Sequence, residues 1–413
     1  MSSSDFRRSG HMPTLLTATL YFGVSSMIWL LLGALANSIA PDLGLSDFQK
    51  GLLVATPLLG GAFLRPVLGV MTDRVGARST AMLGMWLTIP PLLLGWLWAD
   101  RLESMLLVGL FLGVAGASFA AALPLASRWY PARFQGLAMG IAGSGNSGTA
   151  LATFFGPRLA LDWGWHAVFG LALIPLLATL GLFWLFAQDG PDQPPPRPIT
   201  AYANVLSLGE TWWFCLLYAI TFGGFVGLAS FLNVFFLSQY GLSKVEASNV
   251  ATICVLAGAI FRPLGGHLAD RFGGVRILTG LFLAVGMALV GMAVPPSLSL
   301  GTFLVFVAMA ALGMGNGAVF QLVPQRFPRE IGVTTGIVGA AGGLGGFLLP
   351  TFLGTIKQMT GGFGGGFLAF AIMGGLGGAL GLAYASRGWQ RGVGGLGVPA
   401  VEAIAPKSRL AEV

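Results

Sequence analysis

The sequence predicts an all-α polytopic membrane protein, with twelve transmembrane helices arranged in two six-helix, pseudo-symmetric halves. Three observations carry that expectation. Of 413 residues, 55% are hydrophobic and only 9% are charged, at a mean hydropathy of +0.80, whereas soluble domains carry about 25% charged residues. Apolar runs of roughly 18 or more residues read as membrane-crossing helices. Twelve such runs are centred near residues 27, 59, 89, 116, 145, 176, 224, 257, 285, 311, 344 and 375, and none shows the short alternating pattern of barrel strands. The third observation is an internal repeat.

The stretch "FLRPVLGVMTDRVGAR" (63–78) returns as "IFRPLGGHLADRFGGVR" (260–276). Arg65 and Arg262, Pro66 and Pro263, Asp73 and Asp270, Arg74 and Arg271, and Gly76 and Gly273 are each 197 positions apart. A weaker echo links "YPARFQGLAMGIAGSG" (130–145) with "FPREIGVTTGIVGAAGG" (327–343). Between the copies lies "AQDGPDQPPPRPITAYANVLSLGE" (187–210), whose proline run is incompatible with helix interior and reads as an extended linker. The expected organisation is therefore an N-terminal half (1–187), a cytoplasmic linker (188–209), a C-terminal half (210–390) and a cytoplasmic tail (391–413). Duplicated halves are a common build for secondary transporters, with substrate held near the bilayer midplane between them.

Charge placement orients the chain. With both termini cytoplasmic, the 22 Lys and Arg residues divide into 15 inside, 5 outside and 2 within spans, which is the positive-inside bias. That bias accounts for the net charge of +7, so no nucleic-acid partner is expected. The expected location is the inner (plasma) membrane, multi-pass. The first apolar run is too long, and lacks a small-residue cleavage site, for a removable signal. Cys215 and Cys254 fall in separate helices and read as small apolar residues.

All 15 acidic residues fall in predicted loops or at helix ends, and Arg65 and Arg262 are the two cations inside spans. Each lies eight residues before its motif aspartate, about 12 Å along a helix and so toward mid-bilayer. An arginine there costs about 2.5–3.5 kcal/mol on insertion scales. Two facing one cavity repel by about 2 kcal/mol at roughly 8 Å and an effective dielectric near 20. A bound anion would relieve both costs. The alternative is that each arginine caps backbone carbonyls or a lipid headgroup. The planar guanidinium suits planar oxyanions, which leaves nitrate, nitrite, bicarbonate and carboxylates open.

The fifth apolar run, "GIAGSGNSGTALATFFGP" (140–157), is rich in small residues around Asn146. Gly143, Gly145 and Gly148 match G-x-G-x-x-G, but a dinucleotide site needs a preceding strand, and here the motif lies in a span. Close helix packing is the plainer reading of these glycines, as an interhelical hydrogen bond is for Asn146.

"GVMTDRVGAR" and "GHLADRFGGVR" resemble the signature loops, of the form G-x-x-x-D-R-x-G-x-[KR], of the major facilitator superfamily. The resemblance covers essentially the whole chain and implies that fold and its rocking, alternating-access mechanism. It assigns the gating motif to Gly69, Asp73, Arg74 and Gly76 and, in the second copy, to Gly266, Asp270, Arg271 and Gly273. The stretch 140–157, "GAAGGLGGFLLP" (339–350), "GMGNGAVFQLVPQRFP" (313–328) and "FLRP" around Arg65 further resemble the nitrate/nitrite porter family. That resemblance implies an anion clamped by Arg65 and Arg262 and contacted by Asn146, with Gly143, Gly145 and Gly342 letting backbone approach it. Phe119 falls where relatives place a pore aromatic, and Gln321 is a candidate cavity-lining polar group on the tenth helix; for both, ordinary packing competes. One departure stands out. Some family members carry a seventh-helix tyrosine near the anion, yet "TFGGFVGLASFLNVFF" (221–236) has none; Leu228 aligns about there, with Asn233 as a substitute polar group.

His267 lies one turn from Arg262 and could relay protons, although an interfacial histidine is the simpler reading; His166, beside Trp163 and Trp165, reads as part of an interfacial belt. No nucleophile–base pair or metal-ligand cluster occurs in any span, so neither enzyme chemistry nor a cofactor or metal is expected. The expected activity is nitrate/nitrite transport, exchange being favoured over proton symport because no carboxylate lies in the spans. The competing readings are a small-carboxylate exchanger of the oxalate/formate type and a non-transporting anion sensor. The expected partners are a small inorganic anion and membrane lipid, with the protein a monomer.

Overall fold

A computed structural model describes residues 3–191, 205–327 and 331–391. The proline run of the expected linker and the tail beyond Arg391 lie outside the described residues. Within them the chain is all-helical. Helices α1 (Met12–Asp42), α2 (Asp47–Val75), α3 (Ala77–Leu97), α4 (Leu102–Ser127), α6 (Trp165–Phe186) and α7 (Gly209–Tyr240) are long and apolar enough to cross a bilayer. So are α8 (Lys244–Phe272), α10 (Leu298–Arg326), α11 (Ile331–Thr360) and the last helix, α12 (Gly364–Arg391), giving ten in all among the described residues.

Two expected spans differ from this pattern, each for a local reason. Helix α9 (Gly274–Val290) is apolar but only 17 residues long, about 26 Å at 1.5 Å per residue. Helix α5 is interrupted: Ala132–Gly143 passes through a 3-10 turn, Ser144–Ser147, into Gly148–Trp163. Two glycines and two serines around Asn146 are poor helix formers, so the backbone tightens there. Helix α12 carries a similar irregularity, a π turn at Ala371–Leu376.

Helices α2 and α8 show how the repeat is built. Each is 29 residues long. Each begins in a capping box, Ser46 with Gln49 and Ser243 with Glu246, which satisfies orphan N–H groups at both starts. Each ends on a glycine in the left-handed half of backbone space, Gly76 at φ 100° and Gly273 at φ 90°, where a side chain would be strained. All these positions also match at the 197-residue offset, so the echo extends beyond the quoted motif to both helix ends.

Small residues bring backbones into contact at related places. A Cβ added at Gly145 would lie 2.7 Å from the Thr19 carbonyl oxygen of α1, and one at Gly148 would overlap Gly23. Likewise, a Cβ at Gly223 of α7 would lie 2.8 Å from Gly345 of α11. Helix pairs α1–α5 and α7–α11 are therefore packed too tightly for any side chain at these points.

Candidate functional site

The two intramembrane arginines converge, and their surroundings differ. Arg65 is 3% exposed. Its Nε donates to the Gly116 carbonyl (3.1 Å) and its Nη1 to the Gly339 carbonyl (2.7 Å). The first acceptor exists because α4 is broken after Gly116: the Ala120 N–H turns back to Ala117 (3.0 Å) instead of completing the α-helical ladder. The guanidinium carbon lies 5.0 Å from the Trp29 ring and 4.7 Å from the Phe222 ring, within the range of cation–π attraction.

Arg262, on α8, is half-buried. Its guanidinium carbon is 5.8 Å from the Phe119 ring, and among the described residues its buried Nη1 has no hydrogen-bond partner. A continuous run of aromatic rings, Phe222, Tyr218, Phe320 and Phe119, links the two guanidinium groups. Among the described residues no acidic side chain pairs with either.

A tyrosine lies with them. Tyr218 on α7 is 1% exposed, and its hydroxyl is close enough to both guanidinium groups to feel their charge. Its ring stacks on Phe222 (5.0 Å, 7° between planes) and meets Phe320 edge-on at 4.8 Å. A π turn, Ala219–Gly223, separates Tyr218 from Gly224; such bulges recur at functional sites. This corrects the expected departure from the family pattern. The seventh helix does carry a tyrosine near the arginines, one turn before the stretch 221–236, in "LLYAITFGG" (216–224). Leu228 is buried in packing, and Asn233 offers its carbonyl to Asn37 Nδ2 (2.8 Å) at the far end of α1.

The remaining candidates divide by place. Phe119 is buried and sits between Phe22 (5.8 Å) and Phe320 (5.9 Å) as well as beneath Arg262. Asn146 is 3% exposed; its carbonyl accepts from the Thr149 hydroxyl (2.9 Å), its side-chain amide has no hydrogen-bond partner among the described residues, and its 3-10 turn packs against α8. Gly143 is half-buried with open space where a Cβ would stand. Gly145 packs on α1, and Gly342 backs the rings of Tyr218 (2.6 Å to an added Cβ) and Phe222 (3.0 Å). The side chain of Gln321 lies outside the described residues.

The motif residues gather at one end of the bundle. Asp73 accepts an ion pair from Arg128 at the end of α4 (3.0 Å), and Asp189 accepts from the Arg78 N–H (2.9 Å) beneath Gly76. Arg74 is exposed. In the second copy Asp270 is exposed, with no ion pair among the described residues, and Arg271 leans on neighbouring Phe272 (5.2 Å). Gly69 has open space beside it, and Gly266 faces Gly317 of α10 (3.8 Å to an added Cβ). His267 is exposed, and His166 stacks on Trp165 (3.4 Å).

At the opposite end, helices from before and after the linker are tied together. Asn37 meets Asn233, Gln358 accepts from the Phe48 N–H (3.0 Å), Arg158 donates to Ser248 (3.1 Å) and Asn249, and Ser248 donates to the Thr153 carbonyl (2.7 Å).

The Major Facilitator Superfamily model matches residues 17–350. The chain is 34% identical over 347 residues to the "Nitrite extrusion protein" of Bacillus subtilis, covering 84% of this chain and 87% of that one. It is 36% identical over 351 residues to the "Probable nitrate/nitrite transporter NarK2" of Mycobacterium tuberculosis, covering 84% and 89%. This chain belongs to the nitrate/nitrite porter family of the major facilitator superfamily. Another relative in that family is the "Probable nitrate/nitrite antiporter NarK1" of Thermus thermophilus, 31% identical over 388 residues and covering 86% and 87%. Among solved structures, an inward-facing bacterial homologue of the lysosomal transporter Spinster superposes with a TM-score of 0.71 at 20% identity, covering 94% of this chain and 98% of that one. That likeness speaks to the porter's fold alone.

Proposed function

We propose that the protein is a nitrate/nitrite transporter of the inner (plasma) membrane, working by alternating access. The observation that carries this reading is the pair of intramembrane arginines, joined by one run of aromatic rings, with no acidic partner and one buried Arg262 N–H unsatisfied among the described residues. A planar anion between them would cancel the repulsion and accept the free Arg262 donor. The aromatic surround of Phe22, Trp29, Phe119, Tyr218, Phe222 and Phe320 thins water around such an anion, which strengthens each charge-assisted bond. The relatives' names supply the anion class.

In this reading the architecture has twelve spans in two halves, counting α9 and the interrupted α5, with both termini cytoplasmic. Residues 1–187 and 210–390 form the halves. Among the described residues, hydrogen bonds between them are concentrated at the end away from Asp73, which supports a conformation closed on the outward side. Without an anion, the two positive charges oppose closure over the site; with one, the halves can close and rock. That requirement on both strokes favours nitrate/nitrite exchange. Asn146 and Tyr218 would orient the anion, while Gly143, Gly145 and Gly342 would let the helices beside it slide. The Asp73 and Asp270 motifs would form the cytoplasmic gate, and the protein would act as a monomer.

Flux into proteoliposomes tests this. Nitrate and nitrite uptake should require a trans anion and be indifferent to an imposed proton gradient. Uptake of oxalate but not nitrate would refute the assignment.

A further inference from the structure

We propose that Trp29 is a positioning residue that makes Arg65 the fixed arm of the anion site, leaving Arg262 as the adjustable arm; this rests on the anion-site reading above. Trp29 stands where α1 changes direction, between the segments Met12–Trp29 and Leu31–Asp42, and it is 2% exposed. Its indole N–H donates to the Pro57 carbonyl of α2 (2.7 Å). A Cβ at Gly61 of α2 would lie 3.1 Å from the indole nitrogen, and one at Gly116 of α4 would overlap the ring. The indole is thus wedged between two glycines, pinned by one hydrogen bond, with the guanidinium of Arg65 at 5.0 Å.

The same Gly116 that receives the indole supplies the carbonyl for Arg65 Nε. Trp29, Gly116 and Arg65 all precede the linker, so these contacts travel together when helices before and after it move relative to one another. The Gly339 bond and the Phe222 contact come from after the linker and are the ones exchanged. Arg262 has no such wedge. The residue 197 positions beyond Trp29 is Val226, which offers neither π face nor N–H, and Arg262 keeps an unpaired Nη1. One arm is held before the anion arrives; the other has a donor free to meet it. Preorganising one arm lowers the ordering cost of binding.

The test is a set of double-mutant cycles on nitrate KM in proteoliposomes, with thermal stability measured in parallel. Trp29→Leu should raise KM by about thirtyfold at most, the size of a desolvated cation–π contact, with little change in kcat. Trp29→Phe, which keeps a face but loses the N–H, should recover most of that loss. Combined with Arg65→Gln, which removes the cation that the indole faces, Trp29→Leu should add little further; combined with Arg262→Lys, its effect should multiply. Equal additivity in both cycles would overturn the proposal and reduce Trp29 to ordinary packing. If Trp29→Leu fails to fold, the Trp29→Phe cycles give the same comparison at smaller amplitude. Failure of the underlying reading looks different: Arg65→Lys and Arg262→Lys would themselves leave nitrate KM unchanged.

Discussion

Arg65 and Arg262 occupy equivalent places in the repeat, eight residues before an Asp-Arg pair on helices of equal length and matching caps, yet they live in different surroundings. Arg65 is buried, bonded to two carbonyls and faced by two aromatic rings. Arg262 is half-buried, with a free Nη1 and a tyrosine hydroxyl beside it. Duplication sets where a charge sits along a helix; the neighbours it acquires decide whether that charge is structural, receptive or both. In this protein Arg65 carries both duties and Arg262 chiefly the receptive one.

The widest separation between the arms should come from stability. Arg65→Ala strips donors from two buried carbonyls and should destabilise the protein by about 3–5 kcal/mol, by analogy with breaking a buried charged contact. Arg262→Ala removes an under-satisfied cation and should be near neutral in thermal unfolding. Equal losses would erase the contrast. Next in size is Gly145→Ala, whose added methyl meets the Thr19 carbonyl at 2.7 Å. Overpacking of this kind costs about 1–3 kcal/mol, and turnover should fall more than binding if α1 and α5 slide during transport. Tyr218→Phe deletes one hydroxyl between the arms and should weaken nitrate binding by about tenfold, the worth of one hydrogen bond to a charged group, without lowering the melting temperature. Smallest is the pair of motif aspartates. Asp73→Asn breaks a partly exposed ion pair with Arg128 worth about 1 kcal/mol or less, and Asp270→Asn should change stability even less.

Much of the site was legible because charge inside a span is rare. Two arginines in apolar runs, linked by a 197-residue echo, were enough to point to an anion. The breaks were not legible in the same way. Whether α4 would open at Gly116 to free a carbonyl depends on where Arg65 arrives from another helix, which is information no local window holds. Tyr218 was not legible for a related reason: it lies in an apolar run just before the stretch 221–236, and its place near the arginines depends on residues from other helices. The signal was present in the apolar run itself, as a buried-position tyrosine preceding Thr-Phe-Gly-Gly. Trp29 read as ordinary apolar content, because its role depends on two glycines, Gly61 and Gly116, from other helices. The glycine contacts were legible as packing, and Gly145 and Gly342 indeed abut helix backbone and aromatic rings.

Titration calorimetry of purified protein with nitrate tests the central claim most directly. The wild-type protein should bind one nitrate, and both Arg65→Lys and Arg262→Lys, which keep the charge but lose the planar fork, should lose that binding by a hundredfold or more (about 3 kcal/mol) while remaining folded. Undiminished nitrate affinity in both lysine variants would contradict the two-arginine site.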